Sequence, residues 1–478
     1  MSTVNKAING GKWITSATVI ATVCQFAQIA VLARLLDPSA FGIVSISTMI
    51  VNFFTIFTNV GFSNSIISRQ ESDRKVLSTL YLLNVSLGAL MFVVIYFSSP
   101  LIIAYYKEPR LEKVIQLSSC YFLIVYVGQI YSFILQKELK FKSVALTDII
   151  GTVVGTSVTV FLAYQEYEEL SLIYGQLSMQ LTKSAIQVQQ GFRFFRPMLY
   201  MNLKSAREHL VYGMYNIGDG LLGFIQFNSD NIVIGGLLGV KILGYYTIAY
   251  QLAIYPVTKL NPIILQIAHP LLARMKENNE ELKRSYLKIL DIISYCNMPL
   301  LAGLFITADI VIPILYGPGW ESSVDLVRIF VFLSFFSSMS HPLFILVFIK
   351  GKPKILFYLN LVTLLIKVPL LYVLGSYWGV TGIALAFLLA TFINYVFSFL
   401  IAHRLIGSFY RPFFANIRLP VTFCLAMVCL ILVYKTFVGN TGPVNAAMQI
   451  AIGGAVYGGL TLLYKLSLPE IMALRKAL

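Results

Sequence analysis

The sequence predicts an all-α polytopic membrane protein of fourteen transmembrane helices: two related six-helix lobes followed by two further helices. Three observations predict it. Hydrophobic residues make up 58% of the 478 positions and charged residues 12%, whereas a soluble chain carries about 25% charged residues. So little charge cannot build a water-facing surface, which excludes a soluble enzyme, a nucleic-acid-binding module and a disordered chain. The apolar residues fall in runs of about 20 or more, the length a helix needs to cross roughly 30 Å of hydrocarbon. Finally, the chain resembles itself over a unit of six such runs.

The runs lie at 13–35, 40–67, 77–104, 114–136, 143–163 and a glutamine-rich 170–188, followed by a basic linker. They resume at 209–238, 242–271, 286–315, 324–349, 354–377 and 380–402, and close at 417–437 and 445–464. The apolar run after Trp13 is too long for a signal-peptide core and lacks a small-residue cleavage site, so it is expected to be the first span. With the N-terminus inside, Lys and Arg concentrate in the cytoplasmic segments, as the positive-inside rule requires. Fourteen spans then leave both termini cytoplasmic. The net charge of +15 is explained by topology and calls for no nucleic-acid partner.

The repeat sets the lobes. LLDPSAFGIVSISTMI (35–50) aligns without gaps on LLGVKILGYYTIAYQL (237–252), placing Gly42 on Gly244 and Asn59 on Asn261. IYSFILQKELKFKS (130–143) aligns likewise on HPLFILVFIKGKPK (341–354). A six-span unit is even, so both copies share one orientation, the plan of transporters built from parallel repeats. The expected divisions are 1–205, 206–407 and a C-terminal pair of helices in 408–478.

Polar residues inside the spans carry the functional reading, because an ionisable group at membrane depth is costly. Tyr212, Asn216, Asp219, Gly223, Gln226 and Asp230 recur at steps of three and four, which places them in one line on a helix. Gln251, Tyr255, Lys259, Pro262, Gln266 and His269 form a second line, and Gln176, Gln180, Lys183, Gln187 and Gln190 a third. Shorter lines are Asn360, Thr363 and Lys367, and Asn52, Thr55, Asn59 and Ser63. Such lines either glue helices together in a dry interface, with Asp230 or Asp219 pairing Lys259, or they border water. Several together favour a hydrated cavity, given the cost of burying that many polar groups. Arg34 and Arg328 fall at outer span ends, where they could also snorkel, and His341 reads as a satisfied structural histidine.

Catalysis finds no support. There is no Walker A loop, GxSxG, HExxH or CxxC pattern, the four histidines are scattered, and the loops are too short for a catalytic domain. Cys24, Cys120, Cys296, Cys424 and Cys429 lie in apolar stretches without metal-ligand spacing. No enzyme activity, cofactor or metal site is expected.

KAINGGKW (6–13) followed by LARLLDPSAFGIVSI (32–46) resembles the start of bacterial Wzx-type polysaccharide flippases, of the multidrug/oligosaccharidyl-lipid/polysaccharide superfamily. TNVGFSNSIISRQ (58–70), SSPLIIAYYKEPRLEKVI (98–115), LQKELKFKSVALTDI (135–149) and NSDNIVIGGLLGVKILGYYTIAYQLAIYPVTKL (228–260) extend the resemblance over about the first 400 residues. It is most like exporters of the colanic-acid kind; the tail is only loosely similar, and the sixth span is more polar than usual. The resemblance implies two six-helix bundles in a V around a central cavity. It implies as substrate an oligosaccharide repeat unit on undecaprenyl diphosphate, used for exopolysaccharide or lipopolysaccharide and moved by ion- or proton-coupled alternating access. A polysaccharide polymerase and a chain-length regulator would be protein partners. On this reading Arg34, Lys183, Lys259, Arg328 and Lys367 contact the substrate, and Asp219 and Asp230 couple an ion. Asn52, Asn59, Asn216, Gln226, Tyr255, Gln266 and Asn360 line the cavity. The rival is a drug-cation antiporter of the same superfamily, which would favour a cavity dominated by acids.

Overall fold

The computed structural model describes residues 3–58, 66–67 and 70–464, with side chains described except at 3–10, 58, 203–217 and 219. Among the described residues the chain is all-helical. Its helices are α1 (Thr3–Leu35), α2 (Pro38–Thr58), α3 (Arg74–Tyr106), α4 (Leu111–Lys137), α5 (Phe141–Tyr164), α6 (Glu168–Gly191) and α7 (Leu203–Leu237). Then come α8 (Val240–Arg274), α9 (Asn279–Tyr316), α10 (Ser322–Ile349), α11 (Lys354–Ile406), α12 (Tyr410–Phe437) and α13 (Pro443–Tyr464). Ten are long and apolar enough to cross a membrane, so the protein is a multi-pass membrane protein. The other three, α6, α7 and α8, carry the longest polar lines read from the sequence.

The expected runs 354–377 and 380–402 form one helix with a break at Gly379, whose φ of 59° and ψ of −138° suit only glycine. The break is sharp: a Cβ on Gly382 would lie 1.9 Å from the Leu374 carbonyl oxygen. The helical part of the second expected run ends at Thr58 within the described residues, and Asn59 and Ser63 lie outside them.

The chain divides into two compact units, Met1–Gly244 and Tyr245–Leu478. In the first, α6 packs on α4 and α5, α1 on α5, and α7 on α2 and α3. Small residues allow the closest of these approaches. Gly151 and Gly155, four residues apart on α5, face α6: a Cβ on Gly155 would meet the Gly175 carbonyl at 2.9 Å. The repeat register reappears as contact geometry inside this unit. A Cβ on Gly42 would lie 1.8 Å from the Val240 carbonyl oxygen, and one on Gly244 would lie 1.8 Å from the Pro38 carbonyl oxygen. Pro38 and Val240 are equivalent under the alignment that pairs the two glycines, so the contact is reciprocal.

In the second unit α9 packs on α10, α12 and α13, and α10 on α11. Prolines within these helices each remove an N–H and free the carbonyl four residues earlier. Two of the freed groups are recaptured from other helices. Pro342 frees Ser338 O, which accepts from Asn261 Nδ2 on α8 at 3.1 Å; Pro299 frees Tyr295 O, which accepts from Tyr457 OH on α13 at 3.2 Å. The α12–α13 pair is also pinned to α9 by Lys435 Nζ on Asp309 Oδ1 and by Asn440 Nδ2 on Asp309 Oδ2, both at 2.7 Å. Phe423, Met427, Ile431 and Tyr457 bury against Tyr295, Met298, Ala302 and Ile306 beneath those bonds.

Candidate functional site

In the first unit, Lys183 lies on α6 with its stem across Gly151 of α5: a Cβ there would come within 2.4 Å of Lys183 Cγ. The glycine therefore makes room for the lysine. Its Nζ reaches Asp148 Oδ1 at 3.0 Å, with the two side chains 19% and 46% exposed. The pair is therefore only partly enclosed by the rest of the unit. Asp230 is 2% exposed near the end of α7, while Gln226 one turn earlier is half-buried. Asn52 is exposed on α2, and Arg34 is exposed in the last turn of α1. Asn216 and Asp219, like Asn59, lie outside the described side chains.

In the second unit, the line on α8 runs over the surface of the unit. Gln251, Pro262, Gln266 and His269 are exposed, Tyr255 and Lys259 are half-buried, and Lys259 Nζ lies 5.1 Å from the Tyr255 ring centre. Lys367 is set differently. It is 1% exposed, with Nζ 3.6 Å from the Phe387 ring centre, a desolvated cation over an aromatic face. One turn earlier Thr363 accepts from Asn394 Nδ2 at 2.9 Å, so this side of α11 faces the second arm of the same helix; Asn360 is half-buried. Arg328 pairs with Asp325 at 3.3 Å on α10.

The structure adds contacts that spacing did not show. Asn261 is fully buried and fully bonded. Its Oδ1 accepts from Asn297 Nδ2 at 2.8 Å, and its Nδ2 donates to Ser338 O and lies 2.9 Å from His341 Nδ1. Both amide hydrogens are thereby used if His341 carries its proton on Nε2, which makes His341 structural, as its sequence setting suggested. The signal available in the sequence was the carbonyl left free by Pro342; nothing there said which side chain would take it.

The turn between α1 and α2 holds a charged group clear of the spans. Asp37 Oδ2 accepts the Ser39 N–H at 2.9 Å. Partial burial pushes its carboxyl up, but the Ser39 hydrogen bonds, Lys241 and Arg110 outweigh this and hold it below the ordinary aspartate range. A lowered folded-state value stabilises the protein above the unfolded value, and that contribution disappears as pH falls through the folded one. The melting temperature of Asp37→Asn should therefore trail the wild type at neutral pH and converge with it in acid. A gap unchanged down to the most acid pH would contradict this.

The chain as a whole is similar to known proteins. The model of the polysaccharide biosynthesis protein family matches residues 31–325. The lipopolysaccharide biosynthesis protein WzxC of Escherichia coli (strain K12) is 29% identical over 435 residues, 91% of this chain and 88% of the relative. The teichuronic acid biosynthesis protein TuaB of Bacillus subtilis (strain 168) is 26% identical over 428 residues, 89% of each chain. A solved structure of the lipid II flippase MurJ, in an inward closed conformation, superposes with a TM-score of 0.75 at 15% identity, covering 94% of this chain and 98% of that one. That last likeness is one of fold. With its model matched over more than half of the chain and relatives aligned along most of it, the protein belongs to the polysaccharide biosynthesis protein family, in agreement with its Wzx-type sequence.

Proposed function

We propose that the protein carries an oligosaccharide repeat unit on undecaprenyl diphosphate from the cytoplasmic to the periplasmic leaflet of the bacterial inner membrane. It does so by alternating access of two six-helix lobes, 1–205 and 206–407, with both termini cytoplasmic and with coupling to an ion or proton gradient. One observation supports the reading: α6 and α8, two long helices described over their whole length, are less apolar than the ten membrane-capable ones, and they bear Lys183 and Lys259. Ionisable residues at membrane depth face a bundle interior, water or a polar cargo, not lipid. The names of the relatives, lipopolysaccharide and teichuronic acid biosynthesis proteins, supply the class of cargo.

A diphosphate with sugars cannot enter hydrocarbon unaided, because its charges and hydroxyls would lose their water. Cationic side chains replace that hydration while the polyprenyl tail stays in lipid. Lys183 and Lys259 take the phosphates in turn, Lys367 joins them only when the lobe opens and the Phe387 ring moves off its ammonium group, and Arg34 and Arg328 stand at the outer mouth. Lys183 exchanges Asp148 for phosphate. Asp219 and Asp230 bind the coupling ion, and Asn52, Asn59, Asn216, Gln226, Tyr255, Gln266 and Asn360 meet the sugars.

Deleting the gene should cause lipid-linked oligosaccharide to accumulate on the cytoplasmic side. Re-expressed Lys259→Ala or Lys367→Ala should restore export at least about tenfold less well than wild type, the loss of roughly one charge-assisted contact. Full export by both variants would remove these lysines from the pathway. Altered drug sensitivity without lipid accumulation would favour a drug-cation antiporter instead.

A further inference from the structure

The segment joining α6 to α7 is a strap with two unlike sides. Its inner side is tied to the start of α3: Arg74 Nε donates to Arg196 O at 2.9 Å, Met198 N–H to Ser78 Oγ at 3.0 Å, and Asn202 N–H to Thr79 Oγ1 at 3.2 Å. Phe195 is 3% exposed and packs with Leu77, Leu80, Tyr131 and Ile134. The other side faces outward. Leu199 is 97% exposed, Met201 58%, Phe194 46% and Phe192 44%, interleaved with exposed Arg193 and Arg196.

Cations and rings gather at this end of the unit. Arg196 lies over Phe192, Lys140 over Phe194, Lys75 over Tyr200 and Lys142 over Trp13, at 5.1 to 6.0 Å. Only two other such pairs occur among the described residues. A connection that holds its backbone rigid while showing water a leucine, a methionine and two phenylalanines gains nothing in solution. Rings and basic side chains in one layer at helix ends are what a bilayer interface selects: apolar parts enter the acyl boundary and the cations meet anionic headgroups. The strap is fixed at this level, because Phe192 follows the last residue of α6 and Leu203 opens α7.

We propose that residues 192–202 are an interfacial anchor. Phe192, Phe194, Leu199 and Met201 enter the leaflet, and Lys140, Arg193 and Arg196 bind the headgroup phosphate of anionic phospholipids. Charge complementarity favours lipid as the occupant, and the inference is independent of what the protein carries.

The full chain bearing Leu199→Trp is placed in phosphatidylcholine discs containing either brominated phosphatidylcholine or brominated phosphatidylglycerol at equal mole fraction. The emission it adds to that of the native tryptophans is then read. Brominated phosphatidylglycerol should quench it at least about twofold more than brominated phosphatidylcholine, and the preference should shrink as salt rises. Adding Lys140→Gln, Arg193→Gln and Arg196→Gln should bring the preference close to parity, because each cation near the surface contributes to anionic-lipid attraction. Leu199→Trp alone tests insertion without removing a charge, so misfolding of the combined variant would not shelter the proposal. Quenching by neither lipid would place the strap in water or under a protein partner and overturn the anchor. Equal quenching by both would overturn the assignment of Lys140, Arg193 and Arg196 to anionic phospholipids. In detergent, inorganic diphosphate that stabilises the wild type as much as phosphatidylglycerol does, and the charge-neutralised variant less, would make the occupant a soluble phosphate and overturn the lipid assignment.

Discussion

Replacing Gly42 or Gly244 by alanine should lower the stability of the purified protein by about 2 kcal/mol or more, and by similar amounts at the two positions. Each added Cβ would sit 1.8 Å from a backbone carbonyl oxygen, where real contacts begin near 3.0 Å. The first turns of α2 and α8 must therefore part by about 1.2 Å, and a carbonyl inside a helical turn is not a flexible side-chain tip that can swing aside. Overpacking of this kind costs about 1–3 kcal/mol and at times more. The better helix propensity of alanine returns up to about 1 kcal/mol, so the net effect stays destabilising. The reciprocal geometry adds a sharper expectation. Both substitutions push the same two turns apart, so the double variant should cost less than the sum of the single ones. Thermal unfolding in detergent, followed by intrinsic fluorescence, gives all three values. Strict additivity would mean that the glycines act at separate contacts.

Much of the helical plan was legible because the bilayer imposes it. Runs of apolar residues at 77–104, 114–136 and 143–163 reappear within α3, α4 and α5. The alignment of Gly42 on Gly244 marked a repeat, but nothing in the sequence showed that these two turns touch. What stayed hidden was partner choice. Spacing placed Lys183 in a polar line without showing that Gly151 makes room for its stem or that Asp148 takes its charge. Lys367 and Lys259 read alike as intramembrane lysines. One is enclosed under Phe387, from the second arm of its own helix beyond the Gly379 break, and the other lies along the surface of the unit, a difference that the spacing around each lysine did not show. Asn261 was marked only as the match of Asn59, whereas its three bonds come from α9 and α10, residues 36 to 80 positions away.

Asn261→Leu should destabilise the second unit by about 3–5 kcal/mol, although leucine has the same branching and the same number of side-chain heavy atoms. The substitution adds apolar surface to a buried site but strands three groups at once: Ser338 O, Asn297 Nδ2 and His341 Nδ1. Each buried polar group left without a partner costs about 1–3 kcal/mol, and Asn297 Oδ1 already lacks one. The Ser338 carbonyl gives the test its control, because it is orphaned only while residue 342 is proline. In Pro342→Ala the helix recovers an N–H at position 342, which can bond Ser338 O without help from α8. A double-mutant cycle of Asn261→Leu with Pro342→Ala should therefore show about 1–2 kcal/mol of favourable coupling, the share of the loss that belongs to that carbonyl. Zero coupling would show that Ser338 O is satisfied by another route, and that Asn261 serves Asn297 and His341 alone.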